Sequence, residues 1–170
     1  MPAAADKPSR KALVAAYLQR HQPPEIDRPT LRALRQHVVA ALGEVAISDR
    51  YLLDLAEQCG IPVARELGGL PLDLLGRIHV HDLAAAEACL RDLHREYQAA
   101  QAARDPRRAD DCRRAVLRRR RRLELLLRRV APDKRPEKAE ILSWFRVWLE
   151  TPDLFPTWLE LRKKRDPSTG

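Results

Sequence analysis

The stretch CRRAVLRRRRRLELLLRRV, residues 112–130, carries the densest chemistry in the chain. From residue 107 to 129 there are eleven arginines against three acids, Asp110, Asp111 and Glu124. The formal net charge is +8, and outside this segment 21 bases meet 21 acids, so the whole excess lies here. A concentrated positive field attracts phosphates, nucleic acid or acidic protein surfaces far better than the same charge dispersed. The chemistry implied is electrostatic capture rather than bond making. The choice of Arg over Lys weighs little: only six of the 32 bases are Lys, and an Arg, Ala and Leu bias also follows from coding preference.

Other groups offer weaker chemistry. His79-Val80-His81 in an extended segment aims two imidazoles to one side, but a metal needs a third ligand. Neither H-E-x-x-H nor E-x-x-H occurs, and His37 is the best remaining donor. Cys59, Cys89 and Cys112 show no C-x-x-C spacing, which gives neither a disulfide framework nor a zinc pattern and fits free buried thiols in a reducing compartment. LLDLAEQCGIPVARELGG is similar to a helix-turn-helix, although its second helix would span about six residues before Gly68-Gly69. A helix followed by an ordinary turn is the simpler reading. No Ser/His/Asp or Cys/His arrangement, Gly-rich phosphate loop or isolated carboxylate pair stands out, so no enzymatic activity and no cofactor are expected.

The elements that must position these groups are helices. Apolar residues recur at three and four, with no useful period of two, in a 170-residue chain that is 45% hydrophobic. The expected fold is an all-α helical bundle. A first helix follows Ser9 and stops before Pro23-Pro24; a second opens at Asp27 and Pro29 and ends at Gly43. Ser48 caps a third that closes at Gly60, and Pro62, Gly68, Gly69, Pro71 and Gly76 break the next stretch of chain into short pieces.

Asp82 caps a long helix whose apolar series runs Leu83, Ala86, Leu90, Leu93, Tyr97, Ala100. After a break at Arg104-Asp105-Pro106 a second series runs Ala109, Cys112, Val116, Arg119, Leu123, Leu126, Val130. A short break favours an antiparallel hairpin, with Leu83 opposite Val130, Leu90 opposite Leu123 and Tyr97 opposite Val116. That register sets Arg119 on the seam opposite His94, its head reaching Glu96 or water. It also holds Cys89 and Cys112 roughly 18 Å apart, beyond disulfide reach. C-terminal helices begin near Pro136 and after Thr151-Pro152, and all three Trp and both Phe lie between 144 and 158. These aromatics read first as core and second as a docking patch. The small outer residues Ala84, Ala85, Ala88, Ala99, Ala102 and Ala103 are expected to receive the Trp-bearing helix, or in part a second subunit.

With Ala109 at heptad position a, Arg107, Arg114, Arg121 and Arg128 fall at f and Arg108, Arg122 and Arg129 at g. Charge there is what any solvated helix shows, and Asp110 with Arg114 and Glu124 with Arg128 form favourable four-residue pairs. Against that bland reading stands a shortage of partners: the facing helix offers Asp82, Glu87, Asp92 and Glu96. A stripe roughly 33 Å long with no aromatic interruption suits contact with a phosphate backbone and not a stacking platform.

The expected organisation is an N-terminal helical subdomain at 1–78, the hairpin with its aromatic-rich C-terminal helices at 79–165, and a tail at 166–170. The expected function is binding of nucleic acid or another polyanion without base specificity, through Arg107, Arg108, Arg114, Arg118, Arg121, Arg122, Arg128 and Arg129. The alternative is a protein–protein adaptor acting through helical surfaces or self-association. A secretory signal and a membrane span are both unexpected, which makes a cytoplasmic location the expectation.

Overall fold

The computed structural model describes residues 6–43 and 45–165; the expected tail at 166–170 lies outside the described residues. The chain is an all-α helical bundle. Among the described residues the one extended pairing is an isolated parallel bridge between Ile26 and Val63. Two compact units divide the chain, Met1–Leu72 and Asp73–Gly170.

The first unit holds α1 (Arg10–His21), α2 (Arg28–Leu42) and α3 (Asp49–Gln58). Each starts where a short polar side chain satisfies an orphan amide of the first turn. Ser9 accepts from the Ala12 N–H at 3.1 Å, Asp27 from Thr30 at 2.9 Å and Ser48 from Tyr51 at 3.2 Å. Val14 and Leu18 of α1 meet Leu31, Leu34 and Val38 of α2 and Leu52, Leu55 and Ala56 of α3 in one apolar cluster. After α3 the chain runs extended: the Ile26 N–H donates to the Pro62 carbonyl at 2.9 Å, and the Ala64 N–H donates to the Ile26 carbonyl at 3.0 Å.

This bridge removes the helix-turn-helix alternative. Val63 is held beside Ile26, and only a single 3-10 turn, Arg65–Leu67, comes next before Gly68 at φ +80° stops it. Among the described residues of this unit, no helix of recognition length succeeds α3.

The second unit begins with α4 (Leu72–Arg77), at whose first turn the chain divides. Asp73 and Arg77 explain that boundary. Asp73 takes a hydrogen bond from Arg108 at 2.5 Å, and Arg77 donates to Glu96 at 2.6 Å, so α4 is anchored to the next two helices. These are α5 (Leu83–Ala102), capped by Asp82, and α6 (Pro106–Leu127), capped by Asp105. Their contacts run in reversed chain order: Glu96 meets Arg108, and Cys89 lies within electrostatic reach of Arg119.

The register differs from the expected one by about five residues, roughly 7 Å of sliding at 1.5 Å per residue. Pairing about a turn centred on Arg104 sets Cys89 opposite Arg119 rather than residue 124, and Cys112 opposite Glu96 rather than residue 101. The cause is the turn. The expected pairing needs its midpoint inside α6, whereas the actual turn centres on Arg104, which adopts the left-handed φ of 51°. Asp111 and Ala115 are buried and Leu126 is exposed, against the expected seam; α6 packs against α7 as well as α5.

α7 (Arg135–Glu150) packs on both α5 and α6, and α8 (Phe155–Arg165) comes after it. Trp144, Phe145, Trp148 and Phe155 are buried, so the aromatic cluster is core. The Trp148 indole donates to His94 Nδ1 at 3.1 Å and meets the Tyr97 ring edge-on at 5.4 Å. Ala84, Ala88, Ala99, Ala102 and Ala103 remain exposed, against the expectation that α7 covers them. Large rings fill more volume beside Leu93, His94 and Tyr97 than against a shallow alanine stripe.

Gly69 tests the packing of the first unit. A Cβ there would lie 1.8 Å from the Val63 carbonyl oxygen, whereas one at Gly76 meets nothing within 4 Å. Gly69→Ala is expected to lower stability in urea unfolding by about 2–3 kcal/mol, with Gly76→Ala neutral or stabilising by up to about 1 kcal/mol.

Candidate functional site

α6 opens at Asp105, whose carboxylate accepts from the Arg108 N–H at 3.1 Å, and Pro106 fixes the first helical φ. One face buries Cys112, Ala115, Val116 and Leu123. The opposite side carries the arginines, but they do not form a uniform stripe.

Its first half is neutralised internally. Arg108 is clamped between Asp73 at 2.5 Å and Glu96, to which its Nε donates at 3.0 Å. The hydrogen bond to Asp73, opposed by burial and reinforced by Glu96, raises the Arg108 pKa above its usual range. Arg114 pairs with Asp110 at 3.1 Å and also with Asp111, which is itself buried. Arg107 is exposed and Arg118 half-buried. The Asp110–Arg114 pair is the one the four-residue spacing implied, while the expected shortage of partners is corrected for Arg108, which has two. Asp73 was the missed partner. Its sequence signal is an Asp and an Arg at i and i+4 in a short amphipathic piece, Asp73-Leu74-Leu75-Gly76-Arg77.

The second half differs. From Arg118 to Arg129 there are seven arginines and one acid, Glu124. Glu124 is shared between Arg120 at 3.5 Å and Arg146 of α7 at 3.2 Å. It therefore does not serve Arg128 as the four-residue spacing implied. Arg121, Arg122, Arg128 and Arg129 are exposed, with no carboxylate partner among the described residues. Between them stand Leu125 and Leu126, 63% and 42% exposed.

Arg119 is buried at 7% exposure, and its Nη2 donates to the Val80 carbonyl, not to Glu96. Burial lowers its pKa, and Arg122 pushes the same way, yet an arginine keeps its charge. Its role is to tie the segment before α5 to the middle of α6.

The remaining candidates disperse. His37 packs against the Tyr17 ring at 5.0 Å. The backbone carbonyls beside His79, those of Val80 and His81, take Arg119 and Lys138. No three His, Cys, Asp or Glu side chains gather as a metal site among the described residues. All three cysteines are free, but Cys59 is exposed, unlike the buried thiols expected. Burial pushes the Cys89 and Cys112 thiols up to about 11, the reverse of what activates a nucleophile.

The chain matches no family model, and neither the curated proteins nor the solved structures contain a significant match to it. No helix among the described residues is long and apolar enough to cross a membrane.

Two expected outcomes test this site. A thiol reagent at pH 8 should label one cysteine, Cys59, rapidly in the native protein, and the other two only on unfolding; two fast thiols would contradict the burial of Cys89 or Cys112. The hydrogen bond from Arg108, acting against burial, holds the Asp73 carboxyl below its usual range. The stability it contributes is therefore present above the ordinary carboxylate range and lost as pH falls through the lowered value. Asp73→Asn should lower the Tm at neutral pH and flatten its decline on acidification, as read by circular dichroism.

Proposed function

We propose that this chain is a non-enzymatic helical protein that binds nucleic acid or another polyanion, without base specificity, through the C-terminal half of α6 and the turn that follows it. The observation that carries the reading is the exposed quartet Arg121, Arg122, Arg128 and Arg129, which has no carboxylate partner among the described residues. Arg121 and Arg122 stand in the last turns of α6 and Arg128 and Arg129 in the turn directly after it, a patch on the order of 10 Å long at about 1.5 Å per helical residue, enough to meet several phosphates of a duplex at one charge per about 1.7 Å. α6 contains no aromatic residue, so contact is with backbone and not with stacked bases. Arg118 and Arg107 extend the contact along the same helix, while Arg108 and Arg114 set the helix in place. Free thiols accord with a reducing, cytoplasmic setting.

Leu125 and Leu126 favour a second reading, in which the same surface docks an acidic amphipathic helix of a protein partner. The two readings separate by which side chains matter.

Binding of a 20-base-pair duplex and of single-stranded RNA, measured from about 50 to 200 mM salt, is expected to weaken steeply with salt. Changing all four quartet arginines to Gln should reduce the slope of log K against log salt by about three to four, whereas Leu125→Ser with Leu126→Ser should leave it unchanged. No retention of either nucleic acid at about 50 mM salt, or an unaltered slope in the quadruple variant, would remove the polyanion reading. The adaptor reading would then stand on loss of self-association or partner capture in the Leu variant.

A further inference from the structure

A cleft of about 350 Å³ lies between α5 and the start of α8, lined by Arg91, His94, Arg95, Phe155 and Pro156. His94 is 5% exposed and lines the cleft, and its Nε2 is buried without a hydrogen-bond partner among the described residues. Its tautomer is set by its neighbour. An indole nitrogen can only donate, so the Trp148 N–H requires the lone pair on His94 Nδ1, and the proton of the neutral ring is then on Nε2. Burial, opposed by the Asp153 carboxylate, lowers the His94 pKa and so favours that neutral ring. A fixed, buried N–H donor is thus left unmet beside an apolar wall. Phe155, 1% exposed and stacked on Trp158 at 6.1 Å, and Pro156 form that wall.

The charges at the rim are unequal in their commitments. Arg91 is held by Glu160 at 2.6 Å and by Glu87, which also takes Lys163 at 3.0 Å. Arg95 is 77% exposed and among the described residues touches only Asp92, at 3.4 Å, while Asp92 also meets Arg77 at 3.4 Å. One weakly committed guanidinium therefore stands at the mouth. With Glu160 and Asp153 nearby, a dianion is repelled more strongly than a monoanion.

We propose that this cleft binds a small carboxylate with an apolar or aromatic body. His94 Nε2 is closed over in this structure, so binding includes a small opening of the cleft floor: one carboxylate oxygen then accepts from His94 Nε2, the carboxylate pairs with Arg95 as that side chain turns over the mouth, and the body rests on Phe155 and Pro156. The volume falls in the range of small-molecule sites, at its lower end. The site is separate from the α6 arginine quartet and stands independently of the function proposed above.

The test uses the full chain with ¹⁵N-labelled His and Trp, titrated by NMR with benzoate, benzyl alcohol and inorganic phosphate. Benzoate is expected to move the His94 Nε2 and Trp148 indole signals saturably, with benzyl alcohol and phosphate markedly weaker. Arg95→Gln, a surface change compatible with folding, should weaken benzoate at least about tenfold while the His94–Trp148 hydrogen-bond signature persists. Three results would each overturn the proposal. One is no saturable shift by about 10 mM benzoate. Another is benzyl alcohol or phosphate binding as tightly as benzoate. The third is an Arg95→Gln protein that binds benzoate as the parent does.

Discussion

Three residues join α5 to α6, and they set the phase of everything in the second unit. Arg104 takes the left-handed conformation, the Asp105 N–H returns to the Ala100 carbonyl at 2.8 Å, and the Asp105 side chain caps the next helix. A turn this short leaves little freedom in how the two helices slide past each other. It brings Glu96 level with Arg108 and Cys112, and Cys89 level with Arg119. His94 and Tyr97 are thereby placed where Trp148 can reach both.

From that phase comes the electrical asymmetry of α6. Near the turn, carboxylates from α4, α5 and α6 itself converge on Arg108 and Arg114. Toward the far end they run out, and Glu124 is divided between two bases. Mutual repulsion among arginines is costly in proportion to how little water screens it, so the uncompensated ones are tolerated at the exposed end. The same helix is thus structural over its first turns and available to an anion over its last ones.

Much of the architecture was legible in the sequence because helix boundaries are local events. Ser9, Asp27, Ser48 and Asp82 cap as their side chains dictate, and Gly43 ends α2. The register was less legible, since a three-four pattern of apolar residues survives a slip of about one turn almost unchanged. Asp111 illustrates the difficulty: heptad lettering puts it outside, yet it is buried beside Arg114. The candidate face was legible as charge but not as pairing, because Asp73 approaches Arg108 from 35 positions away in the chain. The spacing of Asp73 and Arg77 marks a short helix but does not announce which base its carboxylate will reach. The unmet nitrogen of His94 was likewise hidden, because it depends on which ring nitrogen Trp148 engages.

The bridge between Ile26 and Val63 has a bearing on how the first unit comes apart. It fastens the segment just before α2 to the segment just after α3, so the chain between them is tied at both ends by two backbone hydrogen bonds. Ile26 is fully enclosed, and Val63 nearly so, within the same apolar cluster that the three helices share. Peeling away the tail of α3 therefore strips the anchor from the entry to α2. Such a closed circuit resists piecemeal fraying and favours loss of all three helices together, as one cooperative block.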